Sequence, residues 1–219
     1  MSALLEREVD ARVAEGASVL VLACGAIARE VLAVVALNGW THVDVRCLPA
    51  KLHVTPALIP AAVDAKLREL RGRYEHVLVA YADCGTAGAL DPVLAAHGVE
   101  RLPGPHCYAF FAGGAAWEAL QEEEPGTFYL TDFLARHVDA LVFRPLGLDR
   151  HPELRDEIFG NYRRLVYLAQ TDDPALLERA REAAERLGLA FELRRTGYGE
   201  LEGALVRVAA GAEGAAGRG

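Results

Sequence analysis

The sequence has 219 residues, enough for one large domain or for two smaller halves that share a core. Its formal net charge of −8 argues against nucleic acid as a partner, because such binding depends on clustered Lys and Arg that neutralise phosphates. No apolar run approaches the roughly 18 residues that cross a membrane, and the first residues lack the features of a signal peptide, so we expect a cytoplasmic protein.

The first half of the chain alternates apolar runs typical of strands with amphipathic stretches typical of helices. Strands are predicted over residues 18–23, 41–50, 76–82 and 99–108, the last of which runs into a Pro/Gly turn. Helices are predicted over residues 24–38, 55–71, 88–98 and 109–124. Glycine and proline lie at the ends of most of these segments, which is typical of strand and helix boundaries.

The second half repeats this order less regularly. A strand begins at Thr127 and turns into a helix capped by Thr131 or Asp132. The remaining predicted segments are a short helix over 151–162, a strand over 164–171, an amphipathic helix over 172–188 and a strand over 190–198. The glycine- and alanine-rich tail, residues 209–219, predicts disorder.

Strands that alternate with helices throughout predict an α/β fold, with a mostly parallel sheet and helices on both faces in a Rossmann-like layered arrangement. We expect one domain over residues 1–208, or alternatively two halves, 1–125 and 126–208, around a cleft. In a parallel sheet the loops that leave the carboxyl ends of the strands gather along one edge, and ligands usually bind there.

Each of the four cysteines lies at or just after the end of a predicted strand of the first half, at Cys24, Cys47, Cys84 and Cys107. A cytoplasmic chain of this size needs no disulfides, so these thiols are core residues, metal ligands or nucleophiles. Cys47 fits the core, because it continues the face of Val43 and Val45 along its strand.

Cys24 and Cys84 fit a functional role better, because each precedes a glycine, Gly25 or Gly85, at a predicted strand-to-helix turn. There a thiol meets the free N–H groups of a helix, and the positive end of the helix dipole favours thiolate. The same two turns are candidate cofactor-binding loops, since their backbone N–H groups could form an anion nest.

Two thiolates with one or two further N or S donors suit zinc, and also iron or an iron-sulfur cluster. The candidate ligands are Cys24, Cys84, Cys107, His53 and His106. No C-x-x-C pair or H-E-x-x-H motif supports them, so such a site would be assembled from separate loops. A site with three protein donors would leave a position open for a small-molecule substrate.

A metal-free cysteine enzyme is the alternative. Cys84 would be the nucleophile, with His53 or His106 as the base and Asp83 or Asp132 orienting that base. Tyr108 is a candidate for lining the cleft, although the tyrosines are more simply structural.

Five blocks of the sequence, over residues 18–200, resemble the domain of unknown function 1638 family in the same order. The blocks are "LACGAIAREV", "LPAKLHVTPALIP", "VAYADCGTAG", "LPGPHCYAFFAGG" and "EPGTFYLTDFL". The resemblance marks Cys24, His53, Cys84 and Cys107, and it does not mark Cys47. His106 and Cys107 are contiguous here, whereas many members have a residue between them, so either remains a candidate ligand.

Some members of that family occur beside corrinoid-dependent methyl-transfer proteins, and this implies a partner of that kind by association. The sequence therefore predicts a metal-binding α/β protein, most simply a zinc protein, connected with methyl- or thiol-group transfer. The alternatives are the metal-free cysteine enzyme and a non-catalytic module that binds a corrinoid or another small molecule.

Overall fold

The computed structural model of the chain describes residues 3–216. These residues divide into two compact units. One extends as far as Phe110 and resumes at Tyr198, and the other is Phe111–Gly197. The predicted halves divide instead after residue 125. Among the described residues, no helix is long and apolar enough to cross a membrane.

The first unit begins with a run of short elements around a sheet. In chain order they are α1 Ala3–Glu6, β1 Val9–Arg12, β2 Val19–Cys24, α2 Ala28–Leu37, β3 Val43–Leu48, α3 Ile59–Glu69, β4 His76–Ala80, α4 Leu90–His97, β5 Glu100–Arg101 and α5 Cys107–Ala112. The boundary between the units falls within α5.

The sheet of this unit has the strand order β1-β3-β2-β4-β5. All neighbours are parallel except β1, which runs antiparallel to β3 and which the sequence pattern did not indicate. Every residue of β2 is buried, which is why its sequence is a continuous apolar run rather than an alternating one. The carboxyl ends of β2, β3 and β4 therefore share one edge.

Short 3-10 helices follow two of these strands. Gly25–Ile27 joins β2 to α2, and Ala50–Val54 with Pro56–Leu58 joins β3 to α3. The loop after β4 is different, because residues 81–89 form turns and α4 begins only at Leu90. The prediction that Cys84 lies at a helix N-terminus is therefore wrong, since Asp83 holds the next N–H groups in a tight turn instead.

The fourth predicted strand is much shorter than the pattern indicated. Only Glu100–Arg101 pairs with β4, and Pro103 and Pro105 follow almost immediately. Proline has no N–H to donate to a sheet, so the ladder ends there.

The second unit contains its own sheet, in which β6-β7-β8 are all parallel. Its elements are α6 Gly114–Glu123, β6 Thr127–Leu130, α7 Asp132–Val138, α8 Arg155–Phe159, β7 Arg164–Ala169, α9 Pro174–Leu187 and β8 Ala190–Arg195. Leu165, Tyr167 and Ala180 are among the buried residues of a core between this sheet and its helices.

The last helix, α10 Glu200–Ala216, belongs to the first unit and packs against α2, β2 and β4. It extends over residues 209–216, for which the sequence predicted disorder. Alanine is the strongest helix former, and this segment contains many alanines between its glycines. The rest of the predicted tail, residues 217–219, lies outside the described residues.

Candidate functional site

Cys24 ends β2 at the carboxyl edge of the first sheet. Its side chain caps the following 3-10 helix, because its sulfur accepts a hydrogen bond from the backbone N–H of Ala26 at 3.3 Å. The residue is 4% exposed, and burial raises the pKa of its thiol to about 12. Cys24 is therefore a neutral thiol at neutral pH. Gly25, a predicted cofactor-binding position, is buried beside it.

His53 lies in the 3-10 helix after β3 and brings an imidazole to the same edge. Its Nδ1 is 3.7 Å from the Cys24 sulfur and 3.1 Å from the carbonyl oxygen of Ala50. Because a carbonyl oxygen can only accept, we assign the proton to Nδ1, so Nε2, which is 4.0 Å from the Cys24 sulfur, is the nitrogen that can take up a proton.

The charge state of His53 depends on Cys84. Enclosure of the ring by itself lowers the pKa of His53, although the residue as a whole is exposed. Three other interactions outweigh this effect: the hydrogen bond to Cys84, the negative charge on that sulfur and the hydrogen bond to the Ala50 carbonyl. The pKa of His53 is therefore raised above its usual 6.5.

Cys84 lies in the turn after β4 and is half-buried. Its φ is +53°, a left-handed conformation that costs a residue with a side chain roughly 1–2 kcal/mol. Two backbone hydrogen bonds hold this turn against the loop before α5. The N–H of Asp83 donates to Gly104 O at 3.1 Å, and that of Cys84 donates to Pro105 O at 2.7 Å.

Asp83 shapes this turn through its carboxylate. The carboxylate accepts hydrogen bonds from the backbone N–H groups of Gly85, Ala87 and Gly88 and from the Thr86 hydroxyl, at 2.7–3.2 Å. These bonds, that of Gly88 first, lower the pKa of Asp83. Its predicted orienting role in catalysis stays a prediction, and what the contacts show is a residue that orders the Cys84 turn.

The third thiol of this edge, Cys107, is the first residue of α5 and is half-buried. Burial raises the pKa of Cys107 well above its usual value, and electrostatic interactions with Cys84, Cys24 and Glu30 add to this rise. Burial also lowers the pKa of the adjacent His106, whose ring meets that of Tyr108 edge-on at 5.0 Å.

Tyr108 itself is also largely enclosed. Burial, followed by the charge of Cys107, raises the pKa of its phenol, so the hydroxyl stays protonated at neutral pH. It is a neutral neighbour of the thiols, and its predicted part in cofactor binding stays a prediction.

The sequence favoured a structural role for Tyr81, as for the other tyrosines, and did not indicate Glu30. Tyr81 is 1% exposed, its ring stacks on that of His53, and its phenol lies near enough to Cys24 to affect the pKa of that thiol. Glu30 is an acid buried in α2, and its charge acts on both Cys24 and Cys107. A signal was present in each case, because Tyr81 directly follows β4 and Glu30 interrupts an apolar helix face.

Asp132 lies in the second unit, at the start of α7 after β6. Its buried carboxylate accepts hydrogen bonds from the Tyr167 hydroxyl at 2.7 Å, from Gln170 N at 3.0 Å and from the Thr171 hydroxyl at 2.5 Å. These bonds tie β6 to the end of β7. The catalytic role predicted for Asp132 stays a prediction, while its contacts are those of a structural anchor.

The arrangement of donors also bears on metal binding. Over residues 3–216, no group of three or more His, Cys, Asp or Glu side chains is placed so that it could hold a metal ion. The predicted ligands lie at or near one sheet edge, and the zinc or iron centre stays a prediction.

These features define an α/β protein with a cluster of thiols and an imidazole at the carboxyl edge of a mostly parallel sheet. The chain belongs to the family described as protein of unknown function (DUF1638), which matches residues 47–205. The match includes His53, Cys84 and Cys107 and confirms the resemblance, whereas the block around Cys24 precedes it. No curated protein and no solved structure matches the chain.

Proposed function

We propose that this protein is an enzyme that uses Cys84 as its nucleophile and His53 as the base that takes the Cys84 proton. The observation that carries the proposal is the interaction between the two side chains, which raises the pKa of His53 through a hydrogen bond first and through the charge on the Cys84 sulfur second. A thiol and an imidazole within reach of each other are the pair that activates sulfur in cysteine enzymes.

The surroundings of Cys84 support this assignment. It is half-buried and therefore open to a small molecule, whereas Cys24 and Cys47 are 4% and 2% exposed. Its left-handed backbone is a strained conformation of the kind that clusters at functional sites. Four hydrogen bonds to Asp83 hold the turn in that conformation.

Alkylation with iodoacetamide tests the proposal. At pH 7 we expect Cys84 to react at least about tenfold faster than the other cysteines, and His53→Gln to slow it about tenfold. Cys47→Ser is the matched control and should leave the fast reaction unchanged, because Cys47 is buried in β3. Four cysteines that react at one slow rate, or a fast cysteine at another position, would contradict the proposal.

A zinc or iron centre is the second candidate, favoured by the position of three thiols and His53 at one sheet edge. Cys24, Cys84 and Cys107 would supply the thiolates, with His53 or His106 completing the set, and a bound metal would act as a Lewis acid. The protein purified without chelator should then contain close to one equivalent of metal. Less than about a tenth, with no gain after adding zinc or iron anaerobically, would exclude this candidate.

A cytoplasmic corrinoid methyl-transfer partner is a further proposal, supported by the family resemblance. It also covers the non-catalytic alternative, in which the same edge binds a corrinoid without turnover. The protein incubated with a corrinoid and then desalted should retain the absorbance of the cofactor. A colourless protein would contradict the non-catalytic version, and failure to co-purify with a corrinoid methyl-transfer protein would contradict the partner version, while the iodoacetamide experiment would be unaffected.

We also propose a Rossmann-like layered arrangement for the first unit. The parallel strands β3, β2 and β4 support it, because each is joined to the next in sequence by a connection that contains a helix. An experimental structure with helices on only one face of this sheet would contradict it.

A further inference from the structure

Cys84 and Cys107 are held on adjacent loops. The backbone N–H of Cys84 donates to Pro105 O at 2.7 Å, and Pro105 is two residues before Cys107. A disulfide requires its two Cα atoms to lie about 4.4–6.8 Å apart, so Cys84 and Cys107 can pair only if their loops are neighbours, as this hydrogen bond makes them. Both thiols are half-buried, so both remain open to a small reagent.

We propose that Cys84 and Cys107 act as a dithiol pair that reduces low-molecular-mass disulfides, an activity that rests on the proposed nucleophilic role of Cys84. The substrate is a disulfide between two small thiol compounds. The electrons return to the protein from a small dithiol reductant.

The reaction has two steps, and in each a sulfur–sulfur bond forms while another breaks. First, the Cys84 thiolate attacks one sulfur of the substrate, forming a mixed disulfide, and the departing thiolate takes the proton held by His53. Second, the Cys107 sulfur attacks Cys84, the second thiolate departs and takes the Cys107 proton. The substrate gains two electrons and two protons, and the protein is left with a Cys84–Cys107 disulfide that the dithiol reductant reopens.

Electrostatics order these steps. Burial raises the pKa of Cys107, and its electrostatic interaction with Cys84 raises it further, so Cys107 stays a neutral thiol before the first step. Once Cys84 is bonded to the substrate, its sulfur carries no charge and that part of the rise disappears. Attack by Cys107 therefore becomes easier only after the first step.

Cys24 and Cys47 fit the role of Cys107, the thiol that attacks the mixed disulfide on Cys84, less well. Cys24 is 4% exposed and its sulfur is engaged by the Ala26 N–H, and Cys47 is 2% exposed within β3. Neither is placed next to the Cys84 turn by a backbone hydrogen bond of the kind that joins Cys84 to Pro105.

The test uses the full chain, reduced, desalted and treated with oxidised glutathione. Intact mass should show the loss of two hydrogens without a glutathione adduct, and peptide mapping should place the bond between Cys84 and Cys107. Cys107→Ser and Cys107→Ala should both trap one glutathione on Cys84. Cys47→Ser should behave like the unaltered protein.

Two results would overturn the inference while the proposed function stands. One is a stable glutathione adduct on Cys84 of the unaltered protein, and the other is an internal disulfide from Cys84 to Cys24, which Cys24→Ser would abolish. If Cys84 instead fails to react with either glutathione disulfide or iodoacetamide, the proposed function and the inference fall together.

Discussion

The rings of Tyr81 and His53 are stacked, with planes 10° apart and centroids separated by 6.0 Å. Tyr81 thus contacts the proposed base, and its hydroxyl is buried without a hydrogen-bond partner among the described residues. Burial raises the pKa of Tyr81 well above its usual value, and electrostatic interactions with Cys24 and Cys84 add to this rise, so the hydroxyl stays protonated. The aromatic ring, rather than an ionised phenol, is what His53 meets.

Two substitutions at Tyr81 separate the ring from the hydroxyl. Tyr81→Phe keeps the stacked ring, and we expect the rate of Cys84 alkylation to stay within about twofold of the original. Tyr81→Leu removes the ring that orients His53, and we expect that rate to fall about threefold or more. Equal rates for the two variants would show that the stacking does not position the base.

Asp132→Asn should destabilise the protein without slowing Cys84. The amide offers one acceptor oxygen where the carboxylate has two, so donors from Tyr167, Gln170 and Thr171 lose part of their partner. We expect the free energy of unfolding in urea to fall by about 2 kcal/mol.

Asp139→Asn is the control for Asp132→Asn, because Asp139 is an exposed acid of the same unit, paired with Arg179 and Arg186. The free energy of unfolding of Asp139→Asn should fall by only about 0.5 kcal/mol. A variant of Asp132 that keeps its stability but loses Cys84 reactivity would instead support the catalytic role.

Gly85→Ala should cost more stability than Gly88→Ala. Both glycines have positive φ, +82° and +80°, so both substitutions carry the strain of a left-handed alanine, roughly 1–2 kcal/mol. Only at Gly85 would the added Cβ meet another group, the Cγ of Pro56 at 3.3 Å, whereas Gly88 has nothing within 4 Å. Equal losses of thermal stability in the two variants would show that Pro56 moves away from the added Cβ without an energetic cost.

The pH dependence of stability should report the contact between α3 and α4. The hydrogen bond from His97, at 2.8 Å, is the largest cause that lowers the pKa of Asp64 below its usual 3.8, and Arg68 adds to it. Since the folded pKa is the lower one, the contribution of Asp64 to stability is present above about pH 3.8 and is lost as the pH falls through the folded value.

Asp64→Asn should therefore lower stability at pH 7, and the gap to the original protein should close in acid. Urea unfolding at pH 7, 5 and 3 measures this gap. In a His97→Gln background, the difference in stability caused by Asp64→Asn should be smaller at pH 7, since Asp64 has already lost its main partner. A gap that persists unchanged at pH 3 would contradict the assignment.

Much of the first sheet could be read from the sequence, because fully buried parallel strands such as β2 are continuous apolar runs. The turn at Cys24 was also predicted, and the residue indeed caps a helical turn. The pairing of β6, β7 and β8 into a separate sheet was not predicted. Hydrophobic periodicity shows that a segment is a strand, but it does not show which strand lies beside it.

The turn at Cys84 shows a second limit. "DCGTAGAL" has the small residues of a strand-to-helix turn. However, the Asp83 side chain accepts hydrogen bonds from three backbone N–H groups, and α4 begins only at Leu90. A local side chain and a helix compete for the same backbone N–H groups, and the amino-acid sequence alone does not show which of them forms the hydrogen bonds. The stacking of Tyr81 on His53 could not be predicted either, since the two residues are distant in sequence.

The return of α10 to the first unit has a consequence for biosynthesis. Residues 111–197, with all three strands of their sheet, are synthesised as a complete block before Leu201, Leu205 and Ala209 are made. Those three side chains are buried in the unit that carries the thiols, so that unit cannot complete its core until α10 has been made. A released chain truncated after residue 197 should therefore protect the β6–β8 segment from protease while its cysteines are freely labelled.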